Sequence, residues 1–365
     1  ETFDTGAFNF GWRFYGSTTL CWRTVMAYGP GTGTLSYSNP EVIYDGTSTG
    51  VPVGDPHQAD AATFLKVSFP AVTARACETP EIESEEGRLA AAGGQEFDAF
   101  GIAIDGVVET FVGGASLHDS RALDAGAAYV FEWMLEDLGD PDDPEDDLPD
   151  RWGQTAKLMP TFLHEGDRFG EAVAMDGDLL VIAAPRAGLW ETKVDKQGEP
   201  FEVLRVQNAG LVTVWERAGA GETYCLLDVI QPSFLQPFDW FGTSVDVHNG
   251  RIAIGCPRRD SNGDLTNDVG SVFVYSVDGG IVTLDDERVG VVDGALLGSS
   301  VVIHEHSETS RWHLLAGAPK ASSDRGEVIS WTSFSDDTGA FIELETLSGS
   351  AGAASRFGTA IALED

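Results

Sequence analysis

Apolar residues in this chain fall in short runs that are either continuous or alternate with polar residues, and turn dipeptides separate them. Ala172-Val173-Ala174-Met175 and Leu179-Leu180-Val181-Ile182 are almost wholly apolar, with Asp176-Gly177 between them. Runs this short, bounded by turn residues, predict strands rather than helices, and continuous apolar character suits strands buried on both faces. Asp105-Gly106, Asp176-Gly177 and Asn249-Gly250 are dipeptides that accept positive φ at both central positions, as a two-residue hairpin turn requires.

The same three-part phrase recurs. A Phe-Gly pair opens each unit at Phe100-Gly101, Phe169-Gly170 and Phe241-Gly242, in the variant Leu297-Gly298, and again at Phe357-Gly358, the pairs lying 56 to 72 residues apart. A small apolar phrase follows: Val112-Gly113-Gly114-Ala115, Ile182-Ala183-Ala184-Pro185, Ile254-Gly255-Cys256-Pro257 and Ala316-Gly317-Ala318-Pro319. The third part is a glycine before β-branched and aromatic residues, starting at Gly126, Gly210, Gly270 and Gly326. A fourth run, such as Tyr224–Ile230, closes the unit. Glycine and alanine in the second phrase leave room for neighbouring sheets to approach. Four short antiparallel strands per unit, repeated in tandem, predict a mainly β fold. The expectation is a partial β-propeller of four-stranded antiparallel blades over residues 81–365, with four repeats and the start of a fifth. A small irregular or helical segment, 1–80, precedes it. Two stretches read as exposed loops: 136–150, with nine carboxylates and three prolines, and the insert Gly188 to Asn208.

In combination these phrases resemble the FG-GAP repeat of integrin α-subunit propellers and their bacterial relatives, over roughly residues 85–365. Those propellers have seven blades, so the resemblance implies either an incomplete ring or blades supplied by further sequence. It also implies a calcium loop. Asp260, Asn262, Asp264 and Asp268 place side-chain oxygens at positions 1, 3, 5 and 9 of a short loop, with Thr266 offering its carbonyl, and a hard cation favours six to eight such oxygens. The loop departs from the integrin pattern in having Leu265 at its sixth position and in following the Gly-Cys-Pro phrase instead of preceding it. An Asx-rich hairpin is the alternative.

Residues 1–75 lack the repeat. Val25-Met26-Ala27-Tyr28, Ser38-Asn39-Pro40 and the stretch Gln58 to Val67 resemble, in that order, the end of a reprolysin-like metzincin zinc peptidase. On that resemblance Met26 is the Met-turn residue, a packed floor beneath the zinc and never a ligand, and 58–67 is the closing helix. No His-Glu-x-x-His occurs here, and the histidines show no zinc-ligand spacing. Zinc would therefore belong to a parent protein, and this chain by itself is expected to be inactive.

Composition narrows the partners. Lys+Arg number 22 against 59 Asp+Glu, a net charge of −37, which opposes binding to nucleic acid or to an anionic membrane surface. No run approaches the ~20 apolar residues of a membrane helix. Four cysteines, Cys21, Cys77, Cys225 and Cys256, form no zinc spacing and leave free thiols or disulfides open, Cys21 with Cys77 being the favoured pair. The chain reads as a piece of a longer, secreted or cell-surface protein: a metallopeptidase fragment fused to a propeller that binds a protein, cell-surface or matrix ligand. The alternative is a non-enzymatic, calcium-dependent adhesion propeller. Neither requires catalytic residues in this chain.

Overall fold

A computed structural model describes residues 43–44, 47–48, 89–134, 151–196, 199–217, 223–261, 267–334, 341–349 and 355–363. The chain divides into two compact units, Glu1–Arg88 and Leu89–Asp365. In the first, the described residues are two short paired strands, β1 (Ile43–Tyr44) and β2 (Thr47–Ser48). Met26, Cys21, Cys77 and the stretch 58–67 lie outside the described residues, as does the acidic run 136–150.

The second unit is built from four-stranded antiparallel sheets, one per repeat. Blade one holds β3 (Phe100–Val107), β4 (Thr110–Ala115), β5 (Ala127–Met134) and β6 (Arg151–Leu158). Blade two begins with β7 (Ala172–Asp176) and β8 (Leu179–Ala184), then the separate hairpin β9 (Leu189–Val194) and β10 (Pro200–Val206), before β11 (Leu211–Arg217) and β12 (Tyr224–Ile230). Blade three is β13 (Ser244–His248), β14 (Arg251–Cys256), β15 (Ser271–Asp278) and β16 (Ile281–Val289). Blade four is β17 (Ser300–His306), β18 (Arg311–Ala318), β19 (Glu327–Phe334) and β20 (Ile342–Ser348). Strand order follows chain order within every sheet. The first strands of successive blades lie beside one another, β3 by β7, β7 by β13 and β13 by β17. The result is the expected mainly β, blade-like propeller architecture.

The core lies between blades. Val112, Val130 and Leu158 of blade one pack with Val173, Leu180, Ile182 and Trp215 of blade two. Val181, Val212 and Val214, on blade two's other face, pack with Ile252, Ile254 and Phe273 of blade three. Because both faces are covered, β7 up to its terminal Asp176 and the whole of β8 are apolar, as their unbroken runs require.

The Phe-Gly and small-residue phrases are the seams. Each third-phrase glycine bridges the next unit's opening residue in parallel: Gly126 with Phe169, Gly210 with Phe241, Gly270 with Leu297, and Gly326 with Phe357. Phe169, Phe241 and Leu297 are buried there. A Cβ built on Gly114 would lie 1.9 Å from the Gly170 carbonyl oxygen, and one on Gly317 would lie 1.8 Å from that of Gly358. Only glycine permits so close a backbone approach.

Two expectations need correction. Asp105-Gly106 does not turn: both residues stay in β3, paired with Val112 and Phe111, and Val108-Glu109 makes the turn. A Cβ on Gly106 would meet Phe111 and the Thr110 carbonyl at 2.6 Å, so this glycine serves close cross-strand packing. The second turn is shifted by one residue to Gly177-Asp178, whereas Asn249-Gly250 turns as expected, with φ of 44° and 75°. The Gly188–Asn208 insert is exposed but is a β-hairpin, not a loop, with a bulge between Leu204 and Val206.

Candidate functional site

Antiparallel order brings two connections of each blade to one end: the link from second to third strand and the link from the fourth strand to the next blade's first. Both are built alike in successive blades. The residue two before the opening phenylalanine is Asp98, Asp167 and Asp239 in the first three units, each at most 4 % exposed. Its Oδ2 accepts a backbone N–H from three residues earlier: Gln95 at 2.6 Å, His164 at 2.7 Å and Gln236 at 2.9 Å. The next residue takes positive φ every time, 58° at Ala99 and Arg168, 55° at Trp240, 59° at Leu296 and 47° at Arg356. The aspartate thus holds a turn whose second half is left-handed, and the phenylalanine follows it into the seam. In blade four Ala295 stands in the aspartate's place.

A second position lies beside this aspartate in blades one and three. His118 donates from Nδ1 to Asp98 Oδ2 at 2.8 Å, both groups being buried, and Lys157 Nζ donates to His118 Nε2 at 2.6 Å. The matching residue in blade three is Arg259, whose Nε lies 3.0 Å from Glu287 Oε1. Asp239 is pushed up to about 6 by burial, an effect that the Gln236 N–H and the Arg259 charge only partly oppose. Blade two has Ala187 there, and Asp167 is likewise raised by burial. Blade four pairs Ala295 with Ala321, so acid and base are lost together. A buried carboxylate without a cation carries a desolvation cost, which blade two bears at Asp167 and blade four avoids.

Within this frame the outward side chains vary. Trp240 is flanked by two guanidiniums, with Arg186 4.4 Å and Arg258 4.6 Å from its ring centroid. Arg259 lies 4.6 Å from the Phe234 ring. On the β9–β10 hairpin, Trp190 stacks on His164 at 4.0 Å, and His164 Nε2 lies 2.9 Å from Glu202 Oε2.

Of the expected calcium ligands, Asn262, Asp264 and Thr266 lie outside the described residues. Asp260 is buried, and its Oδ1 accepts the backbone N–H groups of Asn267 at 2.7 Å and Asp268 at 2.9 Å, closing the loop on itself. Asp268 Oδ2 lies 3.5 Å from an Arg258 Nη. The all-oxygen donor set suits calcium, but two of its members already have partners, Asp260 within the loop and Asp268 at Arg258. Among the described residues no three of His, Cys, Asp and Glu are grouped so as to hold a metal ion.

A cleft of about 440 Å³ runs between the first strands. Asp105 Oδ2 accepts Met175 N–H and Asp246 Oδ2 accepts Ile303 N–H, each at 2.7 Å. Burial pushes Asp246 up to about 6 and also raises Asp105. The His248 and His304 rings lie 4.4 Å apart beside them. The two carboxylates join neighbouring blades through backbone N–H groups. Sequence reasoning missed both these and the aspartate before the first three Phe-Gly pairs, although the Asp-x-Phe-Gly spacing was available in those three units.

The geometry defines a tandem-blade β protein whose variable side chains gather at one end. A family model described as FG-GAP repeat matches residues 152–199, a span running from β6 through the Phe169-Gly170 and Ile182–Pro185 phrases. No curated protein matches the chain. Among solved structures, Sqt1 of Saccharomyces cerevisiae is similar at 11 % identity with a TM-score of 0.34, over 70 % of this chain and 48 % of that one; the chain spans about half of that protein's length. No helix among the described residues is long and apolar enough to cross a membrane.

Proposed function

We propose that this chain is a binding propeller of a secreted or cell-surface protein, that its ligand is a protein or a cell or matrix surface, and that the connection end of the blades is its ligand face. One observation carries the reading. The turn before each Phe-Gly or Leu-Gly pair keeps the same left-handed backbone, with or without its aspartate, while the residue in that conformation changes among Ala99, Arg168, Trp240, Leu296 and Arg356. Constant scaffolding beneath variable side chains is how binding loops are built. The FG-GAP match agrees with it. Peptides selected on the chain from a displayed library should protect amides of 163–170, 185–188 and 232–243 in hydrogen exchange. Protection confined to the turns at 177–178 and 249–250 would refute this face.

The leading segment is read as the end of a metzincin-like peptidase domain, a reading supported by the Val25-Met26-Ala27-Tyr28 phrase and the segments after it. The zinc ligands then belong to the parent protein, and zinc-dependent casein hydrolysis by residues 1–365 alone would contradict it. Calcium is assigned to Asp260, Asn262, Asp264, Asp268 and the Thr266 carbonyl, which would make ligand binding calcium-dependent. Added calcium should raise the melting temperature of the parent chain and leave Asp264→Ala unmoved. An identical shift in both would remove the assignment.

A further inference from the structure

Cations are scarce in a chain of net charge −37, yet two guanidiniums share one indole at the connection end. Arg186 follows Pro185 in blade two, Arg258 follows Pro257 in blade three, and Trp240 sits on the connection between those blades. Their guanidinium carbons lie 4.4 and 4.6 Å from the Trp240 ring centroid, and all three residues are partly exposed. Stacking on an aromatic face offsets part of the cost of bringing like charges together. It does not neutralise them. Among the described residues Arg258 has one carboxylate in range, Asp268 at 3.5 Å. Among the described residues no carboxylate lies within ion-pair distance of Arg186, whose described contact is the ring. The buried Trp240 Nε1–H also has no acceptor among the described residues. Among the described residues donors therefore exceed acceptors here, in a protein where acceptors are abundant. Phe234 and Phe238, on the same connection as Trp240, are 45 % and 44 % exposed and add apolar surface.

We propose that the Arg186–Trp240–Arg258 stack is a subsite for a single carboxylate, presented by a protein partner from an otherwise neutral or basic segment. The assignment rests on reading the connection end as the ligand face, and it names the chemistry recognised there. A guanidinium fork matches the two oxygens of a planar carboxylate and makes the stronger, charge-assisted class of hydrogen bond. The rest of the surface sets the context. An extended polyanion meets the repulsion of a strongly acidic chain, whereas one carboxylate between lysines is steered toward it. Asp268 keeps half of the clamp in place, and Arg186 supplies the charge left to be neutralised.

The test uses the full chain with nitrogen-15-labelled tryptophan. A capped Lys-Ala-Asp-Ala-Lys peptide is titrated at millimolar concentration, the same peptide with Asn at its centre serving as control. The Trp240 indole resonance is identified through Trp240→Phe. The Asp peptide should shift that resonance and the Asn peptide should not. Arg186→Gln should weaken the Asp peptide by roughly tenfold, the equivalent of one charge-assisted bond, without lowering the melting temperature, because Arg186 holds no ion pair among the described residues. Arg258→Gln should weaken it similarly, and added salt should weaken it in the parent chain. Equal shifts from both peptides, unchanged affinity in Arg186→Gln, or no Trp240 shift with the Asp peptide would each overturn the subsite. Inorganic phosphate binding more tightly than the peptide would overturn the carboxylate assignment. Each of these outcomes is independent of where library-selected ligands protect the chain from exchange, so failure of the subsite is distinguishable from failure of the ligand face.

Discussion

Gly255→Ala tests the seam between blades three and four. The backbone at Gly255 has no positive φ, so alanine carries no conformational penalty there and, on unfolded-state entropy alone, should stabilise by ~0.4–1 kcal/mol. Packing reverses the sign. The added Cβ would lie 2.0 Å from the Gly298 carbonyl oxygen and 2.3 Å from Ser244 Oγ. Neither group gives way freely: Ser244 Oγ donates to that same carbonyl at 2.8 Å, and Gly298 N–H donates to Gly317 at 3.0 Å. Relief of the clash means moving blade four off blade three and thinning the contact of Ala253, Val272 and Val274 with Val301, Ile303 and Leu314. Overpacking of this kind costs ~1–3 kcal/mol, the upper part applying where the obstacle is backbone. At ~2–4 °C per kcal/mol for a domain of this size, a fall in melting temperature of roughly 4–12 °C is expected. The natural Ala183 supplies the comparison. It fills the same place in blade two, where it faces Gly242, on which a Cβ would lie 2.9 Å from the Ala183 Cβ. That seam has alanine on one side and glycine on the other, while the seam at Gly255 needs glycine on both. The control is Gly177→Ala, with nothing within 4 Å of the new Cβ and φ of 59°, which should cost only ~1–2 kcal/mol for its backbone. Urea and thermal melts of both variants decide the matter. A Gly255→Ala protein as stable as the parent would show that the blades slide apart freely and that the repeated glycines are not seam residues.

Asp246 and Asp239 both have folded-state pKa values of about 6, above the ordinary 3.8, so the folded chain holds extra protons between those values. Stability should therefore fall as pH rises from 3.8 to about 6 and stay reduced above it; Asp246→Asn, which keeps an acceptor for Ile303 N–H, should flatten this slope and melt higher at pH 7, and a lower melt there would sink the reasoning. Cys225 is exposed while Cys256 is buried, its thiol pushed up by burial, so brief maleimide treatment of the native chain should label Cys225 and reach Cys256 only in urea, as peptide mass spectrometry reads out. Asp98→Ala leaves the buried His118 Nδ1–H without its acceptor and should lower stability by ~1–3 kcal/mol, a loss that Asp98→Asn partly restores.

The repeated phrases of the sequence were enough to establish four blade units, their chain order and which runs would be buried on both faces. Backbone requirements are local, and a residue such as glycine or phenylalanine that meets one at a seam must recur wherever the seam recurs. Turn positions were only partly legible, because Asp105-Gly106 carries the same dipeptide signal as a hairpin turn while its register with Val112 and Phe111 is set by the partner strand. The Gly188–Asn208 insert shows the same limit: its strands are mostly exposed and held by pairing with each other, and apolar residues such as Trp190, Val194, Phe201 and Leu204 mark no buried face. The candidate site was less legible still. Trp240, Arg186 and Arg258 are far apart in sequence, and only the stacking of blade three on blade two brings the two arginines to one indole. Nor does any motif announce that His118 and Arg259 occupy one place beside an aspartate. Sequence sets what each strand and turn prefers; the packing of one blade on the next decides which side chains meet, since those meetings depend on distances between chain segments that no local preference fixes.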